Sequence, residues 1–363
     1  MTVEFIGFVN GQNQSETIPP SGPVIDLAHV ETAAKIHENG GFDRTLIAFH
    51  SNSPDSLLLA QHVAAVTRDL GVLIAHRPGF TAPTLAARQL ATLDHLTRGR
   101  VAVHIITGGS DVELQADGDH TTKVQRYART DEYLEIVRRE WSAQAPFDHQ
   151  GRFYDVRGAH SQVGPYREVG IPVYFGGSSD EAIAVAGRHA DVYALWGETY
   201  EQVSETVSRV REAAARHGRT PRFSLSLRPI LAETEDEAWR KADRILETAR
   251  ALQERTGYAR PAAIPNEGSR RLLAAAEQGA RLDKRLWTGI AALTGARGNS
   301  TALVGTPDQV ADALLDYYRL GISTFLIRGF DPLLDAYVYG RDLIPRVRAL
   351  VAAEDRAAPG RAA

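Results

Sequence analysis

The stretch Ile171-Pro-Val-Tyr-Phe-Gly-Gly-Ser-Ser-Asp180 runs an apolar strand into two glycines, two serines and an acid. The helix-like segment EAIAVAGRHAD follows at once. Glycine lets backbone approach closely, hydroxyls offer hydrogen bonds, and the free N–H groups of a helix start favour negative charge. Gly177, Ser178 and Ser179 therefore read as a helix cap or as a phosphate cradle, and the turn alone favours the cap. Other reactive side chains fall at the ends of apolar runs: His50, His76, His104 and Thr107, then Trp196, Arg228 and Arg328. No Asp or Glu accompanies the histidines at ligand spacing, so no metal is expected. Trp196 could simply pack, and the arginines could pair with acids on a rim. Taken together, strand-end arginines and an anion-binding turn point to a phosphorylated cofactor and an anionic substrate.

The elements that must hold these residues follow from periodicity. Eight apolar runs read as strands: 3–9, 45–50, 72–76, 102–106, 172–175, 191–195, 223–230 and 323–328. Amphipathic helices separate them. One ends in the pair Gly40-Gly41; another opens at Thr306-Pro307 and closes at Gly321. Continuous apolar strands alternating with helices imply a parallel sheet covered on both faces, and eight units imply a (β/α)8 barrel. In that fold the site forms at the C-terminal ends of the strands, where the residues above lie. Insertions are expected at 108–124, at 142–170 (a hairpin or flap) and at 252–296. The last is a long, polar, Pro-broken segment before the eighth strand that reads as a mobile lid. Residues 1–353 read as one domain and 354–363 as a disordered tail.

Composition narrows the class. The chain has 363 residues, 43% of them hydrophobic, a net charge of −4 and no cysteine. Disulfides, thiolate metal sites and cysteine nucleophiles are excluded, and nothing in the charge favours nucleic acid or an acidic membrane. A soluble cytoplasmic protein is expected.

The segments FTAPTLAARQLATLDHLTRGRVAVHIITGGSD (80–111), RYARTDEYLEIVRREW (126–141), YFGGSSDEA, DVYALWGE and STALVGTPDQVAD occur in that order. Together they resemble the bacterial luciferase-like flavin monooxygenases, nearest the two-component alkanesulfonate monooxygenases. The resemblance implies a barrel that binds reduced FMN, delivered by a separate NAD(P)H-dependent flavin reductase, with O2 as co-substrate and a homodimeric or homotetrameric state. It places Gly177, Ser178 and Ser179 at the FMN phosphate, with Arg126 and Tyr127 reaching it. His50, His104, Thr107 and Glu113 would lie near the ring or ribityl chain. Trp196, Arg228, Arg297 and Arg328 would meet the substrate, with His50, Trp196, Arg228 and Arg297 in catalytic roles. The implied reaction oxidises a small anionic organosulfur compound, with desulfonation and sulfite release favoured. Alternatives are oxygenation of a sulfone or heterocycle, a deazaflavin-dependent oxidoreductase, and a non-catalytic flavin binder.

Several positions depart from the alkanesulfonate pattern. Ser53 stands where a cysteine is common, Ser226-Leu227-Arg228 replaces Arg-x-His, and Phe330 stands for a tyrosine. Residues 226 and 228 share a strand face, so the arginine has moved two positions along that face and the histidine is gone.

Overall fold

A computed structural model describes residues 3–259 and 266–357. Eight parallel strands form the barrel: Glu4–Val9, Arg44–Ile47, Gly71–His76, Val101–Ile105, Val173–Gly176, Val192–Trp196, Arg222–Leu231 and Ile322–Ile327. They are numbered first to eighth below. Their hydrogen-bonded order runs seven, eight, one, two, three, four, five, six, and six returns to seven. This is the order of a (β/α)8 barrel. The expected strands match, because parallel strands covered on both faces are apolar at nearly every position. Residues 71–75 and 101–103 are all buried.

The helix signals also hold. Asp26 caps Leu27–Asn39, which ends at Gly40 and the left-handed Gly41. Thr306 and Gln309 form a capping box on Pro307–Arg319, and Gly321 follows with φ +105°. Contacts divide the chain into two compact units. One comprises residues 1–45, 194–209 and 222–363; the other comprises 46–193 and 210–221.

In the second unit, the expected hairpin at 142–170 is present as Phe147–Gln150 against Asp155–Ala159. Glu132 anchors its turn by accepting from the backbone N–H groups of Arg152, Phe153 and Tyr154. The 108–124 insertion contains a short helix, Asp111–Ala116.

In the first unit, the 252–296 insertion is folded at its described residues, where the sequence suggested loop; residues 260–265 lie outside them. Helix Glu235–Thr256 extends to the left-handed Gly257, and helix Glu267–Gln278 follows. Two-residue strands, Arg281–Leu282 and Leu286–Trp287, then pair with each other and with Ala302–Gly305. That last strand adds, in parallel, to the C-terminal half of the seventh barrel strand. The eighth strand pairs with the N-terminal half, Phe223 to Leu227. The seventh strand thus pairs with the eighth strand up to Leu227 and with Ala302–Gly305, on its other edge, from Arg228. Trp287, Ile290, Ala302, Val304 and Phe330 pack with Ala238, Ala242 and Ile245 of the long helix. The last helix reaches Ala357, so 354–357 are helical where a disordered tail was expected; Glu354 pairs there with Arg319. Residues 358–363 lie outside the described residues. No helix among the described residues is long and apolar enough to cross a membrane.

Arg271 fastens helix Glu267–Gln278 to the loop after the sixth strand. It donates from Nε and Nη2 to the two oxygens of buried Glu198, each at 2.9 Å. Removing one partner of such a pair strands the other charge without a counterion. Arg271→Ala should lower stability by about 2–4 kcal/mol and speed proteolysis within 267–296. Chemical denaturation and timed trypsin digestion would check both.

Candidate active site

In the second unit, the GGSSD turn joins the fifth strand to helix Asp180–His189. Ser179 is its N-cap and accepts from the Ala182 N–H at 3.4 Å. Gly177 has φ +135°, and a Cβ there would lie 2.8 Å from the Ala182 Cβ and 3.2 Å from the Tyr127 hydroxyl. Only glycine fits, and Tyr127 stands beside the turn. Tyr193 donates to the Gly177 carbonyl from the neighbouring strand. Lys123, which the sequence reading passed over, lies 5.9 Å from the Tyr127 ring and pairs with Glu181 at 3.4 Å. Arg126 is buried, and its guanidinium meets Asp111 at 2.9 Å and the Thr121 carbonyl at 2.5 Å. Lys123 thus meets the first turn of the helix through Glu181, while Arg126 ties two helix starts together. Helix N–H groups, two hydroxyls, a phenol and an ammonium fit a phosphate monoester, and Lys123 offsets Glu181 in the first helical turn.

A second group lies at the ends of the second to fourth strands. Glu113 accepts from Arg77 Nη2 at 2.9 Å and faces His50 Nδ1 at 3.4 Å. Burial would raise the Glu113 pKa, but the bonds from His50 and Arg77 outweigh it and hold the carboxyl at about 2. Arg77 is buried, with its guanidinium carbon 4.9 Å from the Phe49 ring and 5.7 Å from the Phe80 ring. The sequence pattern singled out neither Phe49 nor Phe80. His50 is exposed and Thr107 half-buried.

The histidines separate by strand face. His104 is laterally registered with Ala75 and Tyr174 and shares their face; its Nδ1 is buried without a partner among the described residues. Burial lowers its pKa to about 4, so it is neutral at pH 7. His76 takes the opposite face and bonds the Tyr133 hydroxyl at 2.7 Å in the helix layer. Its role is packing.

The first unit holds the arginines. Arg228 is fully buried on the seventh strand, opposite Ala302. Its Nη1 donates to Glu16 Oε2 at 2.6 Å and its Nη2 to the Gly329 carbonyl at 2.9 Å. The Phe330 ring lies 3.6 Å from its guanidinium carbon. Arg328 is a quarter exposed and looser. Its Nη2 reaches Glu16 Oε1 at 3.4 Å and the Asn299 carbonyl at 3.3 Å, and its buried Nε has no partner among the described residues. Glu16 was missed because it lies in a polar loop, residues 10–26, with no periodicity. Trp196 packs against Gly268, where a Cβ would lie 2.8 Å from its ring, and against the Leu272, Ala291 and Ala296 cluster. Arg297 is exposed between two left-handed residues, Ala296 and Gly298.

The barrel and these side chains define a class, and the sequence agrees with it. Residues 3–324 match the luciferase-like monooxygenase family model, and the chain belongs to that family. Among solved structures it is similar to a riboflavin lyase with modified FMN and riboflavin, at 21% identity and TM-score 0.79. That match covers 97% of this chain and 92% of the other. It is also similar to the EDTA monooxygenase of Chelativorans sp. BNC1, at 20% identity and TM-score 0.77 over 97% and 95% of the two chains. DmoA of Hyphomicrobium sulfonivorans matches at 21% identity and TM-score 0.77, over 97% and 89%. At these identities the likeness is one of fold.

Glu16 has a measurable signature. Burial would raise its pKa, but the charges of Arg228 and Arg328 and the Arg228 hydrogen bond bring it down to about 2. The folded value lies below the unfolded one, near 4.3. The stabilisation is therefore complete above about pH 5 and is lost as pH falls toward 2. Glu16→Gln should flatten the stability profile between those pH values by about 2–3 kcal/mol. Urea midpoints across that range would show it, and parallel curves for both proteins would contradict the assignment.

Proposed function

We propose that the protein is a reduced-FMN-dependent monooxygenase that uses O2 to oxidise a small organosulfur anion, with desulfonation of an organosulfonate as the favoured reaction. The observation that carries this reading is Arg328. It is a quarter-exposed cation whose two contacts to Glu16 and Asn299 are long for charge-assisted bonds. A sulfonate presents three acceptor oxygens to such a fork. Arg228 has both ends occupied and acts by holding Glu16 and the eighth-strand end in place. Ser178, Ser179, Tyr127 and the N–H groups of helix Asp180–His189 hold the FMN phosphate, with Lys123 as counter-charge.

When bound, reduced FMN supplies the electrons that, with O2, put one oxygen atom into the substrate and one into water. Chain residues position the reactants and exclude water, and Arg328 keeps the sulfonate in register. A flavin reductase delivers the cofactor, the insertion at 267–294 covers the bound substrate, and the protein works as a homo-oligomer.

Two measurements test this. Ser178→Ala with Ser179→Ala should weaken FMN binding by about 1–3 kcal/mol in a fluorescence titration. Unchanged affinity, or tighter binding of a deazaflavin, would move the cofactor assignment. With reduced FMN and O2 supplied, short alkanesulfonates should release sulfite. Arg328→Ala should abolish most of that rate and Arg328→Lys should keep part of it, with FMN affinity unaltered. Turnover confined to neutral sulfones would overturn the substrate reading.

A further inference from the structure

We propose that Glu16 is a specificity-determining residue: it fixes the charge of the arginine pair at one positive unit, so that the site takes substrates with a single negative charge and rejects dianions. The inference rests on the reading that Arg328 receives the anionic group.

The argument begins with what holds Glu16. Ser15 Oγ donates to the Phe330 carbonyl at 2.6 Å, and Thr17 Oγ1 donates to the same oxygen at 3.2 Å. Ser15 and Ile18 exchange backbone hydrogen bonds, and the Asp26 N–H closes the loop onto the Gly11 carbonyl. The loop is thus pinned on both sides of Glu16, directly onto the end of the eighth strand. The carboxylate cannot swing away when an anion arrives unless these bonds break.

Charge counting follows. Arg228 and Arg328 bring two positive charges and Glu16 one negative, all in one contact group. Arg228 is fully buried, with Nη1 on Glu16, Nη2 on the Gly329 carbonyl and the Phe330 ring over its guanidinium. Arg328 shares only the second Glu16 oxygen, at 3.4 Å, with the Phe8 ring 5.3 Å away on its apolar side. One negative charge on a ligand completes the trio to neutrality. A second would face the Glu16 carboxylate in surroundings where water screens little. Tyr258, whose phenol is held in its neutral form chiefly by burial and also by the Glu16 charge, adds no cation. A pair of arginines would by itself favour a dianion; Glu16 reverses that preference.

Isothermal titration calorimetry on the full-length protein at pH 7.5 provides the test, with ethanesulfonate as monoanion, sulfoacetate as dianion and dimethyl sulfone as neutral probe. The wild-type protein should bind ethanesulfonate roughly tenfold or more tightly than sulfoacetate. Glu16→Gln keeps the side-chain shape and should shift that ratio toward the dianion by at least roughly tenfold, whereas Glu16→Asp should keep the wild-type preference. A wild-type protein that binds both anions equally would overturn the inference without any variant. So would a Glu16→Gln protein with a native circular dichroism spectrum and an unchanged ratio. Binding of dimethyl sulfone but of neither anion would instead overturn the anionic-substrate reading, and this inference with it.

Discussion

A guanidinium removed from water must be paired, and the first unit is arranged around that requirement at Arg228. This residue is fully buried where pairing with the eighth strand ends and pairing with Ala302–Gly305 begins. An unpaired charge there would cost several kcal/mol, so its partners are obligatory. Glu16 supplies the counter-charge, Gly329 a carbonyl and Phe330 a π face. The loop after the first strand and the end of the eighth strand meet at this one side chain. Phe330 also explains a departure from the alkanesulfonate pattern: its ring lies in the core with Ile230 and Val304 and faces the arginine, where a hydroxyl would need a partner of its own.

The second unit is organised by helix starts and carboxylates. Three residues separate the fifth strand from its helix, which Ser179 caps, and the Gly177 conformation brings Tyr127 against that turn. Glu113 performs a comparable task for His50 and Arg77. Its ionised carboxylate is stabilised by both, and the Phe49 and Phe80 rings lie against the Arg77 guanidinium. The aromatic residues of this region therefore define charge geometry as well as fill space.

The insertion shows where pattern reading loses resolution. Its helix Glu267–Gln278 buries only Ser269, Leu272 and Ala275, so most of its face is polar. Its strands are two residues long, too short for an alternation to register. Folding there comes from partners distant in sequence: Glu198 for Arg271, Glu235 for Arg285, and Asp312 for Lys284. Likewise Trp196 gave no sign of its role until Gly268 and Leu272 were seen to cover it.

Local chemistry was legible from the chain. The eight apolar strands, the caps at Asp26 and Thr306, the hairpin at 147–159 and the strand-to-helix turn at Gly177 depend on neighbours a few residues away, and sequence spacing carries that information. The (β/α)8 class followed because eight doubly covered strands admit few arrangements. Tertiary structure alone decided which charged groups meet. His76 and His104 look alike in sequence, yet strand register sends one to Tyr133 in the helix layer and leaves the other without a partner at Nδ1 among the described residues. Arg228 and Arg328 also look alike, but only one is closed off by Glu16 and Gly329. An ion pair between residues 212 positions apart leaves no periodic trace. It exists because a buried charge must find its opposite wherever the fold brings one within reach.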